Sequence, residues 1–127
     1  MAAWRDVARI AEALPEVTVA EDGHEWRVKD KLFVWERPLR RSDLEALGDR
    51  APQGAILCAM VPDLGAKDAL LADDPEVYFT TPHFNGYRAI LVRLGQITMG
   101  ELRELITEAW LCRAPKRLAA AYLKERS

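Results

Sequence analysis

The seven residues from Ala55 to Val61 are all apolar, and Gly54 and Pro62 bound them. A continuous apolar run of this length is typical of a central strand that is covered on both of its faces. The stretch from Arg88 to Leu94, with Ala89-Ile90-Leu91-Val92 at its centre, predicts a second strand of this kind. Because such strands need other elements to cover them, the chain is expected to form a layered domain around a sheet.

Size and composition agree with one globular domain. The chain has 127 residues, of which 50% are hydrophobic and 30% charged. A chain of this size buries enough surface to form its own core without disulfides or metals. The composition also excludes a disordered tail, a collagen-like fibre and a disulfide scaffold. We therefore expect a single domain over residues 1–127.

The first third of the chain predicts a helix and a hairpin. Apolar residues at helical spacing indicate a helix over about residues 3 to 14, ended by Pro15. A polar stretch follows, up to Gly23. Two β-type runs, Glu25 to Val28 and Leu32 to Glu36, then flank a short polar turn. With Lys29 and Asp30 as a two-residue turn, one core-facing side of this hairpin would carry Trp26, Val28, Phe33 and Trp35.

The remaining elements are mostly helices. Ser42 and Glu45 form a capping-box pattern that opens a short helix ending near Gly48, and Thr98 with Glu101 opens a longer helix to about Arg113. An acidic helix over Asp63 to Asp74, a short strand at Val77 to Phe79 and a last helix after Pro115 complete the pattern. The predicted fold class is α+β: a compact domain with helices packed on one face of a largely antiparallel sheet.

The charge argues against a dedicated nucleic-acid-binding domain. The 18 basic and 20 acidic residues give a net charge of -2. The two ends of the chain differ, because residues 1–79 carry 10 basic and 16 acidic groups, whereas residues 80–127 carry 8 and 4. One surface of the domain can therefore still be basic.

The sequence also predicts a compartment. Cys58 and Cys112 lie among apolar residues, which is typical of buried structural thiols. The N-terminus lacks the basic and apolar regions of a secretory signal, and no apolar run approaches the roughly 20 residues of a membrane-spanning helix. We expect a cytoplasmic protein without a membrane partner.

Several motifs in this order resemble the MmcQ/YjbR family of small bacterial proteins. The motifs, which together span most of the chain, are Leu14-Pro15-Glu16-Val17, Gly23 to Val28, Lys31-Leu32-Phe33, Thr81-Pro82-His83-Phe84-Asn85-Gly86-Tyr87, Ile90 to Leu94, Glu101 to Ile106 and Ala114-Pro115-Lys116-Arg117. The resemblance implies a compact α+β fold similar to CyaY and frataxin, with protruding hairpins described as a double wing. It also implies a DNA-binding role inferred mainly from shape, and no established reaction.

Two groups of residues are candidates for binding. The first contains the basic residues in or beside the hairpin, Arg27, Lys29, Lys31, Arg37, Arg40 and Arg41. They can contact phosphates without reading sequence, or they can form a solvated surface that protects a sheet edge. The second group is drawn from the turn and the last helix start that mark the family: His83, Tyr87, Arg88, Lys116 and Arg117.

The second group predicts an anion site. A helix N-terminus offers free backbone amides and the positive end of the helix dipole, so Lys116 and Arg117 can hold a phosphate or carboxylate there. In the alternative reading, Pro82, Gly86 and Tyr87 set the backbone and its packing, and the basic pair meets a nearby carbonyl or acid.

No motif predicts catalysis, a metal or a cofactor. The two histidines and two cysteines show no metal-ligand spacing, and no serine lies in a nucleophile elbow. We expect a non-catalytic binding module rather than an enzyme. The favoured partner is DNA, bound weakly, without sequence preference and in a salt-sensitive way. The alternative is a domain that binds a small anionic ligand or a protein, with no nucleic-acid binding.

Overall fold

The computed structural model describes residues 2–21, 23–51 and 54–126. These residues form five α-helices and a six-stranded antiparallel sheet in a single compact α+β domain, which confirms the predicted fold class. The helices are α1 (Trp4–Glu12), α2 (Arg41–Leu47), α3 (Leu64–Asp73), α4 (Met99–Arg113) and α5 (Lys116–Arg126). The strands are β1 (Val17–Val19), β2 (Glu25–Val28), β3 (Lys31–Glu36), β4 (Ile56–Met60), β5 (Tyr78–Phe79) and β6 (Ala89–Arg93).

The strands lie in the order β1-β2-β3-β4-β6-β5, and every neighbouring pair is antiparallel. The two continuous apolar runs, β4 and β6, pair with each other inside the sheet, as their sequences predict. All five residues of β4 are buried, because elements cover both faces of this strand.

One face of the sheet packs against α1 and α4. Trp26 marks this face, since its Nε1 donates a hydrogen bond to Glu12 Oε2 of α1 at 3.0 Å. Trp110 of α4 is fully buried, and its Nε1 donates to the Pro15 carbonyl oxygen at 3.0 Å. The chain then turns back, and Tyr122 of α5 contacts Trp110 with ring centroids 5.0 Å apart. The predicted packing of helices on one face holds for α1 and α4.

The opposite face carries a second row of side chains. Register pairs Trp35 with Cys58, Cys58 with Leu91 and Leu91 with Phe79 across four strands. Cys58 and Leu91 have no exposed surface. Around this face lie α2 and a 3-10 turn over Pro82–Phe84, which contact each other. The second face is therefore covered in part by α2 and this turn, and not by α1 and α4.

A β-bulge changes the predicted hairpin. The two-residue turn at Lys29 and Asp30 is confirmed, since Val28 pairs with Lys31 and both turn residues have positive φ. Between Trp26 and Arg27 the register shifts, so that Trp26 lies opposite Val34 rather than Phe33. The prediction that Trp26 and Trp35 share a face is wrong, because the extra residue in β3 moves Trp35 to the other side of the sheet.

Two further local predictions need correction. The helix α2 begins at Arg41, and the carboxylate that caps it is Asp43, whose Oδ2 accepts from the Arg40 backbone N–H at 2.9 Å. The predicted Ser42 and Glu45 capping box is therefore wrong, whereas the Thr98 cap of α4 is confirmed at 3.2 Å from Glu101 N. The strand β1 at the sheet edge was not predicted, because only three residues form it.

Candidate functional site

A cavity of about 510 Å³ opens beside the 3-10 turn, on the face of the sheet that carries Trp35. Its lining combines aromatic rings with basic side chains from two segments of the chain, residues 35–40 and 83–87. The lining residues are Trp35, Arg37, Pro38, Arg40, His83, Phe84 and Tyr87. Four of the candidate binding residues, Arg37, Arg40, His83 and Tyr87, thus come together in one pocket.

The end of β3 supplies one wall of the pocket. The bulge turns Trp35 toward the pocket side of the sheet, where its ring is partly exposed. Arg37 follows two residues later, and strand alternation places it on the same side as Trp35. The Arg37 backbone N–H donates to the Ile56 carbonyl oxygen at 3.0 Å, which fixes this segment to β4.

Arg37 has a structural role as well as a place in the lining. Its Nη2 lies 3.3 Å from Asp43 Oδ2, its Nη1 donates to the Pro38 carbonyl oxygen at 2.6 Å, and its Cζ lies 5.2 Å from the Phe84 ring centroid. The Arg37 side chain is only 11% exposed. The sequence grouped Arg37 with the exposed basic residues of the hairpin, but in the structure Arg37 is not part of a solvated surface. It joins β3, α2 and the 3-10 turn.

The turn that supplies the other wall is held from below by a buried lysine. Lys67 of α3 is 3% exposed, and its Nζ donates to the carbonyl oxygens of Phe84 at 2.5 Å and Tyr87 at 2.9 Å. Gly86 has φ 79°, a conformation that favours glycine, and it lets the chain turn between these two acceptors. The sequence motif Asn85-Gly86 therefore shapes the pocket wall.

The outer part of the pocket offers groups for an anionic, planar ligand. Tyr87 is 50% exposed, and its ring centroid lies 6.1 Å from that of Phe84. His83 is exposed and packs edge-on against Phe84 at 5.2 Å. Within the described residues no ion pair involves the Arg40 side chain. The guanidinium of Arg40 and the imidazole of His83 are thus available as hydrogen-bond donors, next to rings on which a planar group can stack.

The hairpin residues predicted to bind phosphate lie apart from this pocket, and two of them have acidic partners. Arg27 Nη1 lies 3.5 Å from Glu25 Oε1. Lys29 Nζ lies 2.9 Å from Glu16 Oε1, and this hydrogen bond lowers the pKa of Glu16. Lys31 is exposed, and none of the ion pairs in the described chain involves it. The positive charge of the hairpin is therefore partly neutralised.

The other predicted residues occupy separate places on the surface. Arg41 Nε lies 3.5 Å from Glu45 Oε1 along α2, and Arg88 Nη1 donates to the Pro62 carbonyl oxygen at 3.4 Å. Lys116 and Arg117 are exposed at the start of α5, without ion pairs in the part of the chain that the structure describes. Neither Arg88 nor the helix start lines the pocket that contains His83 and Tyr87, so the second predicted group does not form one site.

Burial disfavours the thiolate form of both cysteines. Burial raises the pKa of the Cys58 thiol to about 12, although the positive charges of Arg37 and Lys67 oppose this shift. Burial also raises the pKa of Cys112. Both thiols are free.

Among residues 2–21, 23–51 and 54–126, no three His, Cys, Asp or Glu side chains converge to hold a metal ion. None of the described helices combines the length and apolar character needed to cross a membrane.

Sequence reasoning assigned Trp35 and Phe84 to no site, yet both line the pocket. The missed signal for Trp35 is the pair Phe33-Val34, two consecutive apolar residues that are both fully buried and that break strand alternation. Arg37 was grouped with the hairpin cations because the sequence alone does not show its contact with Asp43.

Comparison with known proteins assigns the sequence of this chain to one family. The family model described as YjbR matches residues 12–112. The proteins described as "Uncharacterized protein Mb2600" of Mycobacterium bovis and "Uncharacterized protein Rv2570" of Mycobacterium tuberculosis are each 57% identical over 126 residues, which cover 97% of this chain and 97% of each relative. No solved structure gives a significant match. The matched range contains β1 to β6 and the whole pocket, and the chain belongs to the YjbR family.

Proposed function

We propose that this protein is a non-catalytic binding module whose pocket takes a small ligand that combines an anionic group with a planar ring. One observation carries the proposal: Arg40 and His83 share a cavity with Trp35 and Tyr87. Its volume, about 510 Å³, falls within the range of small-molecule sites. Donors for an anion and faces for a ring are thus available to one ligand.

The arrangement around the pocket favours binding over catalysis. Arg37 is occupied by Asp43 and the Pro38 carbonyl oxygen, so it supports the wall of the pocket. In the described residues no hydrogen bond joins His83 to a carboxylate that would orient it as a general base. Cys58, the thiol below this region, has a raised pKa and no exposed surface. We therefore do not propose that a nucleophile and a general base act in this pocket.

The proposal is tested by calorimetric titration with adenosine 5′-monophosphate, a probe with both a ring and a phosphate. Adenosine supplies only the ring and inorganic phosphate supplies only the anion. Each is therefore expected to bind more weakly than adenosine 5′-monophosphate. Replacing Arg40 by alanine should weaken binding at least about fivefold, since the variant loses a charged hydrogen bond that is partly open to solvent.

Arg41→Ala is the matched control, because Arg41 is the next residue, is equally basic and does not line the pocket. Its affinity for the nucleotide should stay within about twofold of wild type, as expected for a charge outside the site. Equal losses in both variants, or binding of inorganic phosphate as tight as that of the nucleotide, would argue against a shared ring and anion site.

A second candidate function is weak, sequence-independent DNA binding through the surface cations. It is favoured by Lys31, Lys116 and Arg117, which are exposed without acidic partners in the described chain. Arg113 Nε donates to the Leu32 carbonyl oxygen at 3.2 Å, which brings the end of α4, just before Lys116, beside the start of β3. The hairpin and the start of α5 therefore lie on neighbouring parts of the surface.

A salt titration with fluorescent duplex and single-stranded DNA tests this second candidate. With about four phosphate contacts, the logarithm of the binding constant should fall with log salt at a slope near -3.6. Lys116→Ala with Arg117→Ala should flatten the slope by nearly two units and weaken all sequences alike. Arg5→Ala with Arg103→Ala, two exposed arginines elsewhere, is the control of equal charge. No binding at roughly 20 mM salt would reject DNA as a partner.

A further inference from the structure

A second groove lies between α3 and α4, away from the pocket that contains Tyr87. Its volume is about 610 Å³, and its floor is apolar. The floor is built from both helices and from the end of β4, with the apolar residues Met60, Val61, Pro62, Ala66, Ala69, Leu70 and Leu105. Asp73, Glu101, Glu104 and Glu108 stand around it as carboxylates.

The carboxylates of α4 follow one side of the helix. Glu101, Glu104 and Glu108 are separated by three and four residues, so they lie on neighbouring turns, with Cβ atoms about 5 to 6 Å apart. Like charges at this spacing repel each other and weaken an isolated helix. Glu101 Oε2 accepts a hydrogen bond from the Tyr78 hydroxyl at 3.2 Å. Within the described residues no basic side chain pairs with any of the three glutamates or with Asp73.

The carboxylates are spread along the groove rather than gathered at one point. In the part of the chain that the structure describes, no three of them converge on a position that would hold a metal ion. From residue 101 to residue 108 the helix rises about 10.5 Å. A protein partner is not favoured either, since two helical turns on each side offer much less than the roughly 800 Å² that each partner buries in a standard interface. An extended, narrow cation fits these dimensions better.

We propose that this groove binds a linear aliphatic polyamine, a chain in which ammonium groups are separated by three or four methylenes. Its neighbouring nitrogens are about as far apart as the Cβ atoms of glutamates on adjacent helical turns, near 5 to 6 Å. Each ammonium can donate to a carboxylate of α4 or to Asp73, while the methylenes cover Leu70 and Leu105. The ligand would relieve the repulsion among the glutamates and cover apolar surface in one binding event.

Calorimetric titration with spermidine at low salt tests the proposal. Butane-1,4-diamine is expected to bind more weakly than spermidine, and n-butylamine more weakly still. Glu104→Gln with Glu108→Gln should weaken spermidine binding about tenfold, roughly threefold for each exposed carboxylate removed. Because these glutamates repel each other, the double variant should unfold at no lower temperature than wild type, so a loss of binding is not a loss of fold.

The matched control is Glu21→Gln with Glu125→Gln, two exposed glutamates outside the groove, which changes the net charge by the same amount. Its spermidine affinity should remain within about twofold of wild type, since distant exposed charges are screened. Ala69→Arg, which adds a cation inside the groove, should abolish binding.

Three results would overturn the proposal. They are no spermidine binding at roughly 20 mM salt, equal losses in the groove variant and its control, and displacement of spermidine by Mg²⁺ at equal concentration. Displacement by Mg²⁺ would indicate that the groove attracts any cation through its negative charge and does not recognise the polyamine chain. None of these experiments involves the pocket at Tyr87, so the two proposals fail or stand separately.

Discussion

The Nζ of Lys67 lies 2.9 Å from the carbonyl oxygen of Tyr87, and it also donates to the carbonyl oxygen of Phe84. This lysine is buried, and desolvation lowers its pKa, although Cys58 and Asp68 act in the opposite direction. Lys67 thus connects α3 to the turn that presents His83 and Tyr87. The position of the pocket wall depends on a side chain that is outside the pocket.

Replacing Lys67 by methionine keeps the aliphatic volume but removes one hydrogen bond from each of the two carbonyl oxygens. Each keeps a backbone donor, since Tyr87 N–H donates to Phe84 O and Ala89 N–H donates to Tyr87 O. We expect a loss of about 1.5 to 3 kcal/mol in the free energy of unfolding, the usual contribution of hydrogen bonds from a charged group. Urea denaturation measures this loss. Lys116→Met, at an exposed position, is the control and should change stability by less than about 0.5 kcal/mol. A loss no larger than that of the control would mean that the turn does not need Lys67.

Leu105 tests the packing of α4 on the sheet. The side chain is 6% exposed, so Leu105→Ala should cost about 2 to 5 kcal/mol through lost burial and a cavity. Leu123→Ala, on α5, is the control, because Leu123 is 52% exposed. Its cost should be about 0.5 kcal/mol or less. A change below about 0.5 kcal/mol for Leu105→Ala would contradict its buried position.

Asp30 tests the hairpin turn. Its φ is 68°, a left-handed conformation that glycine adopts without steric cost. Asp30→Gly should therefore raise the free energy of unfolding by about 0.5 kcal/mol and keep the Lys29 to Glu16 ion pair intact. Asp68→Gly, inside α3, should instead destabilise by about 1 kcal/mol. Destabilisation by both changes would be inconsistent with a turn that requires positive φ.

Cys58 tests the burial of the second face of the sheet. The thiol has no exposed surface and a raised pKa, so it should react with a thiol reagent at pH 8 only when the protein unfolds. The variant Cys112→Ala leaves Cys58 as the remaining thiol for this measurement. Labelling that is fast in the native protein and insensitive to urea would show that the face is open.

The same raised pKa predicts a pH dependence. The native pKa, about 12, is above the ordinary value of 9.0, so in this interval the native state binds more protons than the unfolded state. The contribution of the Cys58 thiol to stability is complete below pH 9 and decreases as the pH rises toward 12. The difference in unfolding free energy between wild type and Cys58→Ala should narrow over this interval. A constant difference would contradict the burial of the thiol.

Patterns along the chain predicted most of the fold because the relevant interactions are local. The apolar run at β4, the Thr98 cap of α4 and the turn at Lys29 and Asp30 each depend on neighbouring residues. The short edge strand β1 has only three residues, too few for a pattern of alternation. The bulge in β3 was not predicted, because the prediction continued the strand alternation through Phe33 and Val34.

The candidate site was harder to predict because distant contacts assemble it. Residues near position 37 meet residues near position 84 only through the fold, and Lys67 fixes the turn from a third segment. The sequence identified Arg40, His83 and Tyr87 as candidates, but it placed Arg40 in a different group from His83 and Tyr87. Charge alone does not show that Arg37 pairs with Asp43 whereas Arg40, three residues later, is exposed.

The most direct test of the proposed pocket is to follow the indole N–H signals of the four tryptophans by NMR during titration with adenosine 5′-monophosphate. The indoles of Trp26 and Trp110 are internal references, since they donate to Glu12 and to the Pro15 carbonyl oxygen away from the pocket. The signal that disappears in Trp35→Phe identifies Trp35. Our account predicts that the nucleotide shifts the Trp35 signal and leaves those of Trp26 and Trp110 in place. Saturation without a shift at Trp35, or shifts at Trp26 and Trp110 alone, would contradict it.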